Sequence, residues 1–331
     1  MAARLLEPIA VRNMRLSNRL VMPPMATGRA HPDRGVSPEM LAYYKEKSSG
    51  GYIGLVIIEH SYISADGRAH DRQLSVADDS VIPGLKELAE VIHGQGSKTV
   101  MQINHAGSSA TEKILGAKPV APSAVDNPLR GSPPRELGRD EIAGIVCDFA
   151  AAAGRAWEAG FDGVELHAAH GFLLNQFFSP LTNRRQDEYG GDVLNRIRIH
   201  LEIVKAIRET VGQEFPILVR LGAADYREGG TTIDDSMVAA RALEAAGVDL
   251  LDVSAGFCGF PETGEQGFFA PLSEAIKRAV NIPVILTGGI REAGIAEQLL
   301  QDGKADLIGV GRAIMSDSLW AKKAVESLQG R

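Results

Sequence analysis

Two histidines three residues apart, His167 and His170 in "HAAHGFLLNQFFSPLTNRRQDEYGG", follow the apolar run "GVEL" and open a polar, charged loop. Histidines in such a setting can ligate a metal, work as an acid–base pair, or donate N–H groups to a substrate oxygen. Zinc requires a third ligand and commonly an i, i+4 spacing on a helix, whereas these are i, i+3 in a strand-end loop, so a metal site is not expected. Arg220 closes the run "PILVRL" and needs an anion or a polarised carbonyl, because an unpaired buried guanidinium is costly. Gln102, in "KTVMQI", offers both a donor and an acceptor to a flat heterocycle. "LTGGI" and "GVGRA" supply Gly288, Gly289, Gly311 and Arg312. Glycines let backbone N–H groups approach a phosphate, a following helix N-terminus adds favourable partial charge, and the arginine adds a fixed fork of donors.

The elements that must position these groups follow from the apolar runs. Eight appear, at 19–25, 54–60, 98–103, 163–167, 216–221, 248–254, 283–289 and 305–311. Each is rich in Val, Ile and Leu with little polar alternation, the pattern of parallel strands covered on both faces. Helical patterns lie between them, as at 234–246, ended by Gly247, and at 195–211, ended by Gly212. Eight strand–helix repeats predict an α/β fold, a (β/α)8 TIM barrel, with a doubly wound open sheet as the alternative. The count and the lack of a Gly-rich dinucleotide turn after the first run favour the barrel. The expectation is one domain over 1–331, a hairpin before Arg19 plugging the bottom, and a long Pro-, Gly- and Ser-rich loop at 108–138 after the third strand. Chemistry in a barrel belongs at the carboxyl ends of the strands. Those ends collect Met25, Ala26, Glu59, His60, Tyr62, Gln102, His105, the two histidines, Arg220, Tyr226 and Cys258.

Bulk properties exclude other classes. Lys+Arg 35 against Asp+Glu 42 gives a formal charge of -7 with no basic run, so no nucleic-acid surface is expected. Cys147 and Cys258 are far apart, which argues against an iron–sulfur cluster or a disulfide scaffold. No run of about eighteen apolar residues occurs, and the amino terminus lacks a signal-peptide core. A cytoplasmic protein with a small-molecule substrate and no membrane partner is expected.

These motifs, taken together, resemble the old yellow enzyme family of FMN-dependent ene reductases. The resemblance runs through "NRLVMPPMAT" (18–27), "MQINHAG" (101–107), "ELHAAHGFLLNQFFSPLTNRRQDEYGG" (165–191), "VRL" (219–221), "LTGGI" and "GVGRA", and so covers nearly the whole chain. It implies that Pro24, Met25 and Ala26 line the flavin ring, with His60 also counted at the cofactor. Gln102 would bond the pyrimidine portion, Arg220 would sit near N1 and O2, and Gly288, Gly289, Gly311 and Arg312 would hold the phosphate. His167 and His170 would be the catalytic pair, polarising the oxygen of a carbonyl, carboxyl or nitro group so that flavin N5 delivers hydride to the β-carbon. Members often form dimers or tetramers, so a homo-oligomer is a further expectation.

The chain also departs from its family. Phe172 stands where a tyrosine usually protonates the substrate α-carbon, and phenylalanine cannot donate a proton. The proton then comes from water, Tyr226 or Tyr62, or enone reduction is slow, or the natural reaction is oxidative, as in desaturation or amine demethylation. The blander reading is that Phe172 packs against substrate, together with Tyr62 and Tyr226. Ala26 replaces a Cys or Thr near the flavin, with Thr27 as partial compensation. Larger relatives continue into a cysteine cluster and domains for FAD and NAD(P)H, which these 331 residues lack. Direct reduction of FMN by NADH or NADPH in the same cavity, with ping-pong kinetics, is the expectation. The loop 254–269 carries four phenylalanines, Phe257, Phe260, Phe268 and Phe269, and predicts an apolar wall.

Overall fold

The computed structural model describes residues 3–129, 134–258 and 264–330. An antiparallel hairpin, β1 (Ile9–Val11) and β2 (Met14–Leu16), comes first. It is followed by β3 (Leu20–Met22), β4 (Leu55–Tyr62) and β5 (Lys98–Asn104). Within the long loop after β5, β6 (Val120–Ala121) pairs with β7 (Arg135–Glu136). The remaining strands are β8 (Gly163–Ala168), β9 (Ile217–Gly222), β10 (Leu250–Ser254), β11 (Val284–Leu286) and β12 (Leu307–Gly309). β3, β4, β5 and β8 to β12 pair in parallel, in chain order, and β12 returns to β3 to close a barrel. All eight predicted runs are barrel strands, and closure excludes the open sheet.

Side chains alternate across each strand, which divides the apolar runs into two populations. One set, including Val56, Ile58, Met101, Val164, Leu251 and Ile308, joins the main core beneath the helices. The other fills the barrel. Val21, Leu55, Ile57, Val100, Leu218, Leu250, Ile285 and Leu307 pack against Val11, Met14 and Leu16 of the hairpin, which is therefore the expected plug. Two positions further along the same inward columns the residue types change. Gln102 follows Val100, Arg220 follows Leu218, Asp252 follows Leu250, and β8 presents Glu165 and then His167.

Helix boundaries follow local chemistry. Helix Ile233–Ala246 starts at a capping box in which Thr232 and Asp235 bond each other's backbone N–H. It stops at Gly247, whose φ of 103° is left-handed. The 195–211 pattern divides into Val193–Arg196 and Arg198–Val211 at Ile197. Buried Arg196 bonds the carbonyls of Phe178 and Gly191 and so ties the first turn to the preceding loop. The "RRQDE" run at 184–188 is held by ion pairs and backbone bonds. Arg185 is buried, forks onto Asp187, and bonds Pro122 O (2.9 Å) and Leu137 O (2.7 Å), clamping both sides of the long loop.

Candidate active site

A cavity of about 920 Å³ lies at the carboxyl ends of the barrel strands. Pro24, Met25 and Ala26 reach it from the segment after β3, His60 from β4 and Gln102 from β5. His167, His170 and Phe172 reach it from β8 and its loop, and Arg220 from β9. Gly288 and Gly289 after β11, and Gly311 and Arg312 after β12, line its other end. The structure thus brings together all but two of the residues given a catalytic, substrate-binding or cofactor-binding place by sequence, while Glu59, His105 and Cys258 of the strand ends do not line the cavity.

The exceptions are Tyr62 and Tyr226. Tyr62 is buried, and backbone bonds to Leu74 O and from Val76 N hold its end of β4 beside that segment instead of at the cavity. Asp225 ties down the turn after β9, accepting from Ser179 Oγ (2.6 Å), Thr231 N (2.7 Å) and Phe257 N (2.9 Å). The next residue, Tyr226, has φ 49° and is 63% exposed, so it faces solvent. Of the four phenylalanines, Phe268 and Phe269 line the cavity. Phe257 is fully buried and does not, and Phe260 lies outside the described residues. His31 pairs with Asp33 away from the cavity, and buried His105 accepts from Gly107 N at 3.0 Å.

One wall is a buried polar cluster that the sequence reading missed in part. Gln102 Nε2 donates to Glu165 Oε1 at 2.8 Å, and Arg220 Nε lies 3.3 Å from Asp252 Oδ2 without hydrogen-bond alignment. Glu165 and Asp252 are fully buried. Burial, with Asp252 nearby, pushes the Glu165 carboxyl well above the usual carboxylate range, and burial raises Asp252 as well. Arg220 opposes both shifts. Its Nε is buried without a hydrogen-bond partner, and its side chain lines the cavity.

The histidines form the next wall. His167 and His170 have ring centroids 5.0 Å apart, and Phe172 lies 4.6 Å from His167 and 5.2 Å from His60. Burial first, then neighbouring positive groups including Arg220, holds both members of the pair well below the ordinary histidine pKa, so both rings are neutral. His170 has φ 59°, and its Nε2 is 2.7 Å from Ser254 Oγ. His167 Nδ1 is buried with no partner. His60 reaches the cavity through a bulge: Ile58 pairs with Met101 and Ser61 with Ile103, so Glu59 and His60 together oppose Gln102.

The far end is a glycine cradle. Gly288 and Gly289 have φ of 137° and 68°. A Cβ on Gly289 would meet Phe268 Cε1 at 2.8 Å, and one on Gly311 would meet Met25 Sδ at 2.9 Å. The helix after Gly311 is only Arg312–Ser316, and that after β11 begins at Ala293, so positive charge here comes mainly from side chains. Arg291, which follows "TGGI" and was not singled out, lines the cavity beside Arg312. A guanidinium and an amide at one end, an apolar wall, and a glycine cradle with two arginines at the other fit FMN.

Comparison with known proteins agrees with this geometry. Residues 4–330 match the family model described as NADH:flavin oxidoreductase / NADH oxidase family. The chain is 45% identical over 327 residues to the NADH oxidase of Thermoanaerobacter brockii, covering 96% of this chain and 50% of that protein, so it spans about half that relative's length. It is 38% identical over 328 residues to the NADPH dehydrogenase of Listeria monocytogenes serotype 4a (strain HCC23), covering 98% of this chain and 95% of the relative. The structure of morphinone reductase in complex with tetrahydroNAD matches with a TM-score of 0.85 and 31% identity, over 98% of this chain and 91% of that one. The chain is therefore a member of the NADH:flavin oxidoreductase / NADH oxidase family, the old yellow enzyme family whose motifs it carries, with FMN as its cofactor.

Proposed function

We propose that this chain is a single FMN-binding domain over 1–331 that reduces an activated carbon–carbon double bond, using NADH or NADPH. The observation that supports this best is the pair of neutral histidines, His167 and His170, on the same cavity wall as Arg220 and Gln102. FMN bound there would supply a hydride donor, and with Tyr62 and Tyr226 outside the cavity the proton for the α-carbon would come from water. Pro24, Met25 and Ala26 would line its ring, Gln102 and Arg220 would hold the pyrimidine edge, and Gly288, Gly289, Gly311 and Arg312 would hold the phosphate. His167 and His170 donate N–H bonds to the oxygen of the activating group and stabilise the negative charge that develops on it. Their neutrality matters, since a neutral ring donates without surrendering its proton to the enolate. Phe172 packs against His167 and His60 and covers the substrate on that side. The tetrahydroNAD complex of morphinone reductase supports a nicotinamide entering the same cavity, and hence alternation of the two substrates. A homo-oligomer working in the cytoplasm is part of the same reading, checked by light scattering and fractionation.

One observation favours a second direction. No tyrosine is among the described residues lining the cavity. An oxidative reaction, such as desaturation or amine demethylation, does without a phenolic proton donor. Anaerobic stopped-flow separates the readings. Enzyme pre-reduced with NADH or NADPH is mixed with cyclohexenone, wild type beside Phe172→Tyr. Reoxidation in either protein, faster in the variant, supports ene reduction. If neither reoxidises and a saturated substrate bleaches the oxidised flavin, the oxidative reading replaces it.

A further inference from the structure

Glu59 stands beside His60 on the β4 bulge but is buried and outside the cavity. Its N–H donates to the hydroxyl of Tyr44, on the helix Pro38–Ser48, at 2.8 Å. Its Oε2 accepts from Thr27 N–H at 3.1 Å. That bond reaches a stretch with little else to fix it. Beyond Met22, residues 23–29 belong to no strand or helix, and Pro23 and Pro24 carry no N–H. Met25 packs its sulfur over Gly311, and Thr27 Oγ1 accepts from Arg29 N–H at 3.2 Å. Glu59 therefore ties down the far end of the segment, Pro24 to Ala26, that lines the cavity. Burial pushes its carboxyl up to about 7, against Thr27, Arg29 and Tyr44, which favour the ionised form.

We propose that Glu59 is a positioning residue: through Thr27 it sets how closely Met25 and Ala26 approach the flavin. The assignment rests on the placement of FMN against Pro24, Met25 and Ala26 given above. Its basis is the strength of the tie. An ionised carboxylate holds an N–H donor about twice as strongly as a neutral acceptor does, so the charge on Glu59 governs how firmly the segment is fixed. The groups that face the carboxyl are Thr27 and Arg29 after β3, and Tyr43 and Tyr44 of the helix. Burial holds both phenols above their ordinary value, so neither changes charge near neutrality. His60, the neighbour along β4, faces the cavity instead.

The test uses holoenzyme and two readouts, flavin absorbance followed across neutral pH and the FMN dissociation constant by fluorescence titration. Wild type should show a spectral step centred near the Glu59 value of about 7. Glu59→Gln should lack the step yet bind FMN nearly as well, because its amide carbonyl still accepts from Thr27. Glu59→Leu should weaken FMN about tenfold, the scale of one lost hydrogen bond. Thr27→Val removes a hydroxyl that favours the ionised carboxyl, so it should move the step to higher pH. It provides the test if the Glu59 variants fail to fold. A step that survives in Glu59→Gln overturns the assignment. So does a Glu59→Leu protein that loses stability to urea while keeping its FMN affinity and spectrum, since Glu59 then serves the fold alone. Ala26→Ser separates the two readings. A spectrum that responds to Ala26→Ser but not to Glu59→Gln keeps the segment at the flavin and removes Glu59. One that responds to neither removes the segment from the flavin, and the assignment with it.

Discussion

Arg220 and the two carboxyl groups behind it carry more of the cavity's energetics than the motif residues suggest. Removing the guanidinium would leave Glu165 and Asp252 buried with no opposing charge. Arg220→Ala is expected to cost about 3–5 kcal/mol, the scale for breaking a buried ion pair, and to reduce flavin occupancy. Chemical denaturation and the flavin content of purified protein measure the two effects. At the other end, Gly289→Ala would strain a φ of 68° and press a Cβ toward Phe268. FMN affinity should fall about tenfold, since a left-handed residue costs on the order of 1–2 kcal/mol, as read by fluorescence titration. Arg220, Gln102 and the glycines were legible because their types are unusual at strand ends. Glu165 and Asp252 were not, since they stand inside "GVELH" and "LLDVS", where one sequence does not say which alternate positions face inward.

The inward columns of β5 and β9 change from aliphatic to polar within two residues, so one strand serves both the plugged base and the cavity wall. Leu16→Ala, in the hairpin plug, is expected to lower stability by about 2–4 kcal/mol through the cavity it leaves. The flavin absorption spectrum should stay unaltered, because the loss lies below the polar layer, and calorimetry beside absorbance checks both parts. The eight strands were legible from apolar runs of the right length, and closure followed from their number. The β4 bulge was not, because an extra residue in a ladder exists only relative to its partner strand. It decides that His60 reaches the cavity. The outward turn of Tyr226 likewise depends on Asp225 finding Ser179 and Phe257 N–H, both distant in sequence, besides the nearby Thr231 N–H.

For the molecule as a whole, buried histidines are one source of the response to acid. His200 is fully buried, and burial lowers its pKa to about 4 from 6.5. Between those values the unfolded chain binds a proton at His200 that the folded chain does not, so the contribution of His200 to stability falls as pH drops from 6.5 toward 4 and levels off below, while the raised carboxyls of Glu165 and Asp252 act in the opposite direction. His167 and His170 shift in the same direction. His200→Leu should flatten the slope by up to about 3 kcal/mol across that window, measured by urea denaturation from pH 7 to pH 4. A slope identical to wild type would remove His200 from the explanation. Length, charge and the apolar pattern made the barrel legible, whereas a histidine in a helix repeat does not announce whether it is buried.

The cavity lining includes Arg220, Arg291 and Arg312 and, among its described residues, no carboxylate, in a chain whose formal charge is -7. The net charge of the chain repels anions while the arginines of the cavity attract them, so capture of the FMN phosphate depends on the ionic atmosphere. Raising ionic strength shortens the reach of that local attraction from about 30 Å at 0.01 M to about 3 Å at 1 M. The dissociation constant for FMN should therefore climb with added chloride, more steeply than that for riboflavin, which lacks the phosphate, while the KM for an uncharged alkene on the loaded enzyme stays flat.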